Sequence, residues 1–354
     1  MLEALLETYG DSAVLAMAGA LVGLIFGAAA QHSRFCLRAA TVELAECHFG
    51  PRLAIWLIAF SAGVLSVQGA IALGWLDVSE ARPLAATGSL SGAVIGGLMF
   101  GVGMILARGC ASRLLVLSAS GNLRALVAGL VLTLVAQASL RGFLAPAREA
   151  LTGLWTLPGG AGRSLLHTFG IGSGMAAAIA ALVLLLSLAL AHARQVRPDH
   201  ALAAAFVGIA IGLGWLATYL IAQTSFEVVP ISSVTFTGPS TDTLMGLVNT
   251  TELPLGFGIG LVPGVFVGAG ATAILTREWK IERFGPDTLM ERYLLGALLM
   301  GFGAMLAGGC AVGAGMSGGA IFALTAWVAV GCMWLGAMAA HLMLGHIGSR
   351  PALV

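Results

Sequence analysis

The chain has 354 residues, 58% hydrophobic and only 9% charged, with 50 glycines and a formal net charge of +1 at pH 7. A soluble domain carries roughly 25% charged residues, so the composition excludes a soluble globule and defines an integral membrane protein whose first partner is the lipid bilayer. A near-neutral balance without a basic run gives no basis for a nucleic-acid partner. Five cysteines with no C-x-x-C pair argue against zinc and against a dithiol of the usual spacing, and neither a metal nor a cofactor is expected.

Glu3, Glu7 and Asp11 precede the first apolar stretch, with no Lys or Arg among them. A signal peptide needs a positive n-region, so Val14 onward is expected to be a retained span. At about 20 apolar residues per crossing, nine spans are predicted: 13–34, 53–76, 89–108, 122–144, 165–193, 201–222, 255–276, 291–308 and 319–345. Between the sixth and seventh, 223–254 is rich in Ser and Thr and holds Pro230, Pro239 and Pro254. That stretch is too polar to face lipid and is expected to be an ordered external loop with a short helix at 241–249. The fold class is all-α: a polytopic membrane protein of about nine transmembrane helices plus short re-entrant ones. It forms a single domain over 1–354, with pseudo-repeat halves roughly at 1–150 and 200–354.

Segments after the odd-numbered spans hold 13 of the 17 Lys and Arg residues, from Arg34 to Arg350; the other side keeps only Arg82, Arg141, Arg148 and Arg163. The positive-inside rule then puts the N-terminus outside and the C-terminus in the cytoplasm. Asn249-Thr250-Thr251 fits a glycosylation sequon, and His341 and His346 fit an interfacial position.

One pattern recurs three times at the end of an apolar span. Gly27 to Cys36, Gly101 to Cys110 and Gly301 to Cys310 each place a cysteine nine positions after a glycine, and 96–113 aligns on 296–313 without a gap. A fourth, degenerate copy runs from Gly264 and Gly268 to Arg277, with arginine aligned where cysteine stands elsewhere. The segments after the cysteines, 37–48, 111–120 and 311–318, are too brief to span. Each is expected to be a short helix starting near its cysteine, after a break at Ser33 to Phe35, Arg108-Gly109 or Gly308-Gly309. Such a start presents unpaired N–H groups and the positive end of the helix dipole, which favour an anion. One dipole contributes up to about 2 kcal/mol when partly buried, several times less than anion desolvation costs, so several must converge. A neutral thiol is a weak donor with a polarisable sulfur. It suits a soft anion that must be bound firmly enough to enter and loosely enough to leave. The inferred substrate is a small anion with sulfur character, on a path lined by Cys36, Cys110 and Cys310.

Arg38, Arg108, Arg113 and Arg124 surround the first two motifs and can steer an anion, besides anchoring a cytoplasmic face. Gly109 and Gly309 support the breaks. Glu43 and Glu46 are expected to form an ion network with Arg38. His32, four residues before Cys36, reads as a helix-end histidine or as a group lowering the thiol pKa. Gln68, Gln137 and Gln223 read as bonds to neighbouring helices. Cys47 and Cys332, outside the repeat, read as packing residues.

Taken together, Arg108-Gly109-Cys110, Gly121-Asn122-Leu123-Arg124, the stretch 233–246 and Gly308-Gly309-Cys310-Ala311-Val312-Gly313 resemble the YeeE/YedE family of bacterial inner-membrane proteins. The resemblance runs from about residue 14 to 345. It implies thiosulfate uptake, an hourglass of helices with short helices meeting at a constriction, and three path-lining cysteines that map onto Cys110, Cys310 and Cys36. It also implies a small cytoplasmic TusA-like sulfur-carrier protein as a partner. Two departures stand out: Arg34-Phe35 precedes Cys36 where the other copies have Gly, and Arg113 stands where the third copy has Gly313. Two readings compete with a transporter that is not an enzyme. One is a membrane thiol enzyme, such as a sulfurtransferase or disulfide oxidoreductase. The other is a channel for small neutral solutes. Uptake of another sulfur or selenium compound also fits.

Overall fold

The computed structural model describes residues 2–225, 227–249, 253–284 and 290–348; Arg350, most of the sequon and the His346 side chain lie outside the described residues. Among those residues, nine helices are long and apolar enough to cross a membrane. In chain order the main helices are α1 (Asp11–Ser33), the short α2 (Leu37–Ala45), α3 (Pro51–Ala72), α4 (Leu90–Leu106) and the short α5 (Ala111–Ala119). Then come α6 (Leu123–Arg141), α7 (Ser173–Ala193), α8 (Pro198–Thr224), α9 (Thr237–Asn249), α10 (Phe257–Leu275) and α11 (Met290–Ala307). A π-helical segment (Ala311–Gly318) and α12 (Leu324–Gly348) close the chain. The fifth span begins eight residues later than its apolar run because Gly170, with φ +65°, ends a separate turn at Leu165–Phe169.

Lipid tails are as apolar as leucine, so burying leucine does not drive these helices together; close backbone approach does. A methyl group added at Gly19, Gly23 or Gly27 would lie 2.0–2.3 Å from the carbonyl oxygens of Phe257, Leu261 and Val265. Gly260, Gly264 and Gly268 meet those of Ala16, Ala20 and Leu24 in the same way. Helices α1 and α10 therefore run side by side in the same direction. The α4 helix does the same with α12, Gly97 against Ala329 and Gly101 against Met333. Against α11 it runs the other way, since Gly96 meets Gly303 and Gly103 meets Gly296. The break after α11 consequently lies at the opposite end of the bundle from the break after α4.

The polar stretch before α9 is external at its start, where Val228 is fully exposed, but from Ser233 onward it packs inside the bundle. Val234 and Phe236 are 0% and 1% exposed. Irregular backbone survives at such depth only if its polar groups are satisfied by protein. Ser232 exchanges hydrogen bonds with Thr218, donating its N–H (3.2 Å) and accepting from the hydroxyl (2.6 Å). Ser233 Oγ donates to Ile211 O at 2.7 Å, and Val234 O accepts from Ser317 Oγ at 2.6 Å. The carbonyls ending the π segment are met by side chains: Trp215 Nε1 on Ser317, Trp327 Nε1 on Gly319 and Gln68 Nε2 on Ala320. Gln68 thus fulfils its expected role of bonding a neighbouring element.

Candidate functional site

Each helix break has one local design. Arg34, Arg108 and Gly308 adopt left-handed conformations, with φ of 54°, 58° and 77°. The next N–H then bonds the carbonyl five residues back: Phe35 to Ala30, Gly109 to Met104 and Gly309 to Ala304, at 2.9–3.2 Å. This is a Schellman-type stop. After one more residue the chain starts again at α2, α5 or the π segment, with Cys36, Cys110 and Cys310 as the N-cap residues. The predicted breaks and short helices are all present.

The fourth copy has the same stop in a different register. Arg277 is the left-handed residue (φ 58°) and Glu278 N–H bonds Ala273 O at 2.8 Å. Arg277 therefore matches Arg34 and Arg108 in conformation, and the cysteine position falls on Trp279; the glycines align as expected, but this stop comes two residues later after Gly268 than the others do after theirs. No short helix follows it among the described residues up to 284. Residues 280–282 instead run against 120–122, with Lys280 N–H to Ser120 O (3.3 Å) and Glu282 N–H to Gly121 O (3.0 Å).

These stops bring charge together at one end of the bundle. A cavity of about 440 Å³ is lined by Cys36, Arg38, Arg108 and Arg113 from the predicted set, and by Gln31, Arg34, Arg52, Ser120, Asn122, Glu278, Lys280 and Glu282, which sequence reasoning did not assign. The α10 stop supplies Glu278 and Lys280, and the start of α3 supplies Arg52. Arg34 pairs with Glu278 at 2.8 Å and Lys280 with Glu282 at 3.1 Å. Arg38, Arg52, Arg108 and Arg113 have no carboxylate partner among the described residues, so the cavity keeps an uncompensated positive charge. Arg38 Nε and Arg113 Nη1 are buried without a hydrogen-bond acceptor. Arg124 stands behind the wall, 3.8 Å from Glu282. The hydrogen bond from Arg34 holds the Glu278 carboxyl below its ordinary pKa, against an upward push from partial burial.

The expected network of Arg38 with Glu43 and Glu46 does not form. Glu43 accepts from the N–H groups of Arg52 (3.1 Å) and Leu53 (2.9 Å), capping the positive end of α3. Glu46 is held by His341 Nε2 at 2.9 Å. His32 turns to Asp199 at 3.2 Å and stacks edge-on against His200, a helix-end role. His32, Asp199 and His200 are the one described group with the donor set of a metal site, but Asp199 is already held by Arg197 at 2.8 and 3.1 Å.

The three repeat thiols are not equivalent. Cys36 opens onto the cavity, whereas Cys110 and Cys310 are 1% and 0% exposed. Cys110 Sγ sits 3.4 Å from Ser112 Oγ, and Cys310 Sγ accepts from Gly313 N–H at 3.4 Å. Cys110 lies within electrostatic reach of both Cys36 and Cys310, and Arg113 within reach of Cys36 and Cys110. Helix α5 packs on the π segment, which brings together short elements that start from opposite ends of the bundle. Cys332 instead packs its Cβ against Gly97 between α12 and α4, and Cys47 is exposed.

A helical membrane protein with half-helices that begin at thiols and converge from two ends belongs, by architecture, among proteins that move small solutes. Residues 32–339 match the Sulphur transport family, to which the YeeE/YedE resemblance pointed, and the chain belongs to that family. It is 28% identical over 327 residues to the Thiosulfate transporter TsuA of Spirochaeta thermophila, covering 88% of this chain and 93% of that one. It is 26% identical over 341 residues to the Thiosulfate transporter TsuA of Escherichia coli K12, covering 93% and 94%.

Proposed function

We propose that this protein imports thiosulfate across the bacterial inner membrane along a path lined by Cys36, Cys110 and Cys310. The observation that supports this reading is three thiols at the N-caps of short elements, two of which pack together from opposite ends of one bundle, beside four guanidinium groups without carboxylate partners among the described residues. Converging half-helix starts stabilise an anion without binding it permanently, and neutral thiols accommodate its soft sulfur end. Both named relatives are thiosulfate transporters, which supports the same substrate here.

In this reading the N-terminus is outside and the C-terminus cytoplasmic, as the Lys and Arg bias favours. The arginine-lined cavity then opens to the cytoplasm. Arg38, Arg108 and Arg113 draw the anion through, Arg124 supports that wall through Glu282, and Gly109 and Gly309 shape the stops that aim the thiols. A TusA-like sulfur-carrier protein receives the product at the cytoplasmic mouth. The two halves, 1–150 and 200–354, act as one transport domain.

The test is uptake of radiolabelled thiosulfate by protein reconstituted in liposomes. Cys110→Ala is expected to lose uptake and Cys332→Ala to keep it. Folded wild-type protein that takes up no thiosulfate overturns the substrate. A persulfide on Cys110 or Cys310 after exposure to substrate replaces the transporter by a thiol enzyme.

A further inference from the structure

Two hydroxyls of the segment that lies against the turn after Cys310 have no role in the path proposed above. Thr235 and Thr237 flank Phe236 in the buried segment that leads into α9. Thr237 is 1% exposed and its Oγ1 has no partner, and Thr235 makes no hydrogen bond among the described residues. A buried hydroxyl without a partner destabilises a fold, so one retained at a functional constriction calls for a ligand.

Thr235 is placed by a contact and Thr237 by the start of a helix. A methyl group added at Gly313 would lie 2.1 Å from Thr235 Oγ1. That hydroxyl therefore sits against the first turn of the π segment, where the Gly313 N–H meets Cys310 Sγ. Thr237 and Gly238 open the 13-residue helix α9, whose first internal bond runs from Ser240 N–H to Phe236 O at 2.8 Å. Their own N–H groups have no acceptor among the described residues and lie at the positive end of the helix.

We propose that Thr235, Thr237 and the first N–H groups of α9 form an oxyanion subsite, which holds the oxygen-bearing end of the transported anion while Cys310 faces its sulfur end. The proposal rests on the transport reading above and adds the recognition of the second end. Thiosulfate has a soft terminal sulfur and a hard three-oxygen end, and O–H and N–H donors match the latter as the thiol matches the former. These donors are neutral, so the anion is sorted here without being trapped.

Liposome uptake kinetics of Thr235→Val, Thr237→Val and Thr237→Ser, with thermal unfolding of each, test the subsite. Loss of one hydrogen bond to a charged ligand is expected to raise KM for thiosulfate about tenfold or more in each valine variant. Thr237→Ser is expected to restore it. Thr237→Val should unfold at the wild-type temperature or above, having lost an unpartnered hydroxyl. Valine variants with unchanged KM, in a wild type that does transport thiosulfate, overturn the subsite alone, as does a Thr237→Val whose defect follows a fall in unfolding temperature. A wild type without thiosulfate uptake overturns the transport reading and the subsite with it.

Discussion

The two ends of the bundle approach the same three thiols with different chemistry. At one end, Arg34, Arg38, Arg52, Arg108, Arg113 and Lys280 surround a cavity that exposes Cys36, offset only by Glu278 and Glu282. At the other, Thr235 lies against the first turn of a π segment, Ala-Val-Gly-Ala-Gly-Met-Ser-Gly, that starts at Cys310 and has no charge at all. Charge acts over a Debye length of about 8 Å at physiological salt and attracts any anion. Neutral donors act only in contact and distinguish one oxyanion from another. On the proposed reading, one end gathers the anion and the other selects it.

Substitutions should separate the two roles, and the largest effect is expected at Arg113. Its guanidinium is buried beside Cys36 and Cys110 with Nη1 unpartnered, so Arg113→Gln should cut the thiosulfate uptake rate by about tenfold or more. An unchanged rate would remove Arg113 from the path. A few-fold effect is expected from Arg38→Gln or Arg52→Gln, and it should shrink as salt is raised from low ionic strength, because rim charges act by steering. Threonine variants at the other end should show no such salt dependence. Thiol accessibility sharpens the contrast further. With Cys47 and Cys332 replaced by alanine, a membrane-impermeant maleimide should label Cys36 in inside-out vesicles and spare Cys110 and Cys310. Labelling of Cys36 only in right-side-out vesicles would invert the proposed orientation.

The smallest effect concerns the Arg34–Glu278 pair, which ties the α1 stop to the α10 stop. A carboxylate whose folded pKa is depressed contributes stability above its ordinary value, and that contribution is lost as pH falls through the lowered one. The ordinary value is 4.5. Between that pH and lower values, the wild-type unfolding temperature should fall slightly more than that of Glu278→Gln. Parallel curves would show that the pair adds nothing to stability, in line with its half-exposed geometry.

How much of this was legible in the sequence follows from the physics of each feature. Spans announce themselves because lipid demands some 20 apolar residues in a row, and all nine were placed. The breaks were visible because the stop needs a left-handed residue and the repeat spells it three times. The fourth stop was misregistered because arginine fills the left-handed position there, as in Arg34 and Arg108, and was taken as the cysteine's counterpart. Arg52, Glu278 and Lys280 were invisible as cavity residues, since only tertiary packing brings 52 and 278–282 to 34–38. Glu43 was assigned to Arg38 on proximity in sequence, but the free N–H groups at the start of α3 compete for it and win. The polar stretch before α9 was read as external because its composition rejects lipid. Rejection of lipid is equally satisfied by burial in protein, and Ser232, Ser233 and Ser317 show how.

The glycine seam between α1 and α10 sets a mechanical limit on the molecule. Six glycines face the partner's carbonyl oxygens so closely that a methyl group would have no room at any of them. Sliding one helix along the other by a single residue, about 1.5 Å, would drive side chains such as Phe257 or Leu261 into the opposing backbone. Two helices some 240 positions apart in sequence thus behave as a single beam, without slack for shear. Any opening or closing that accompanies transport has to be carried by elements outside that beam, such as the short thiol-bearing helices, or by the beam turning as a whole.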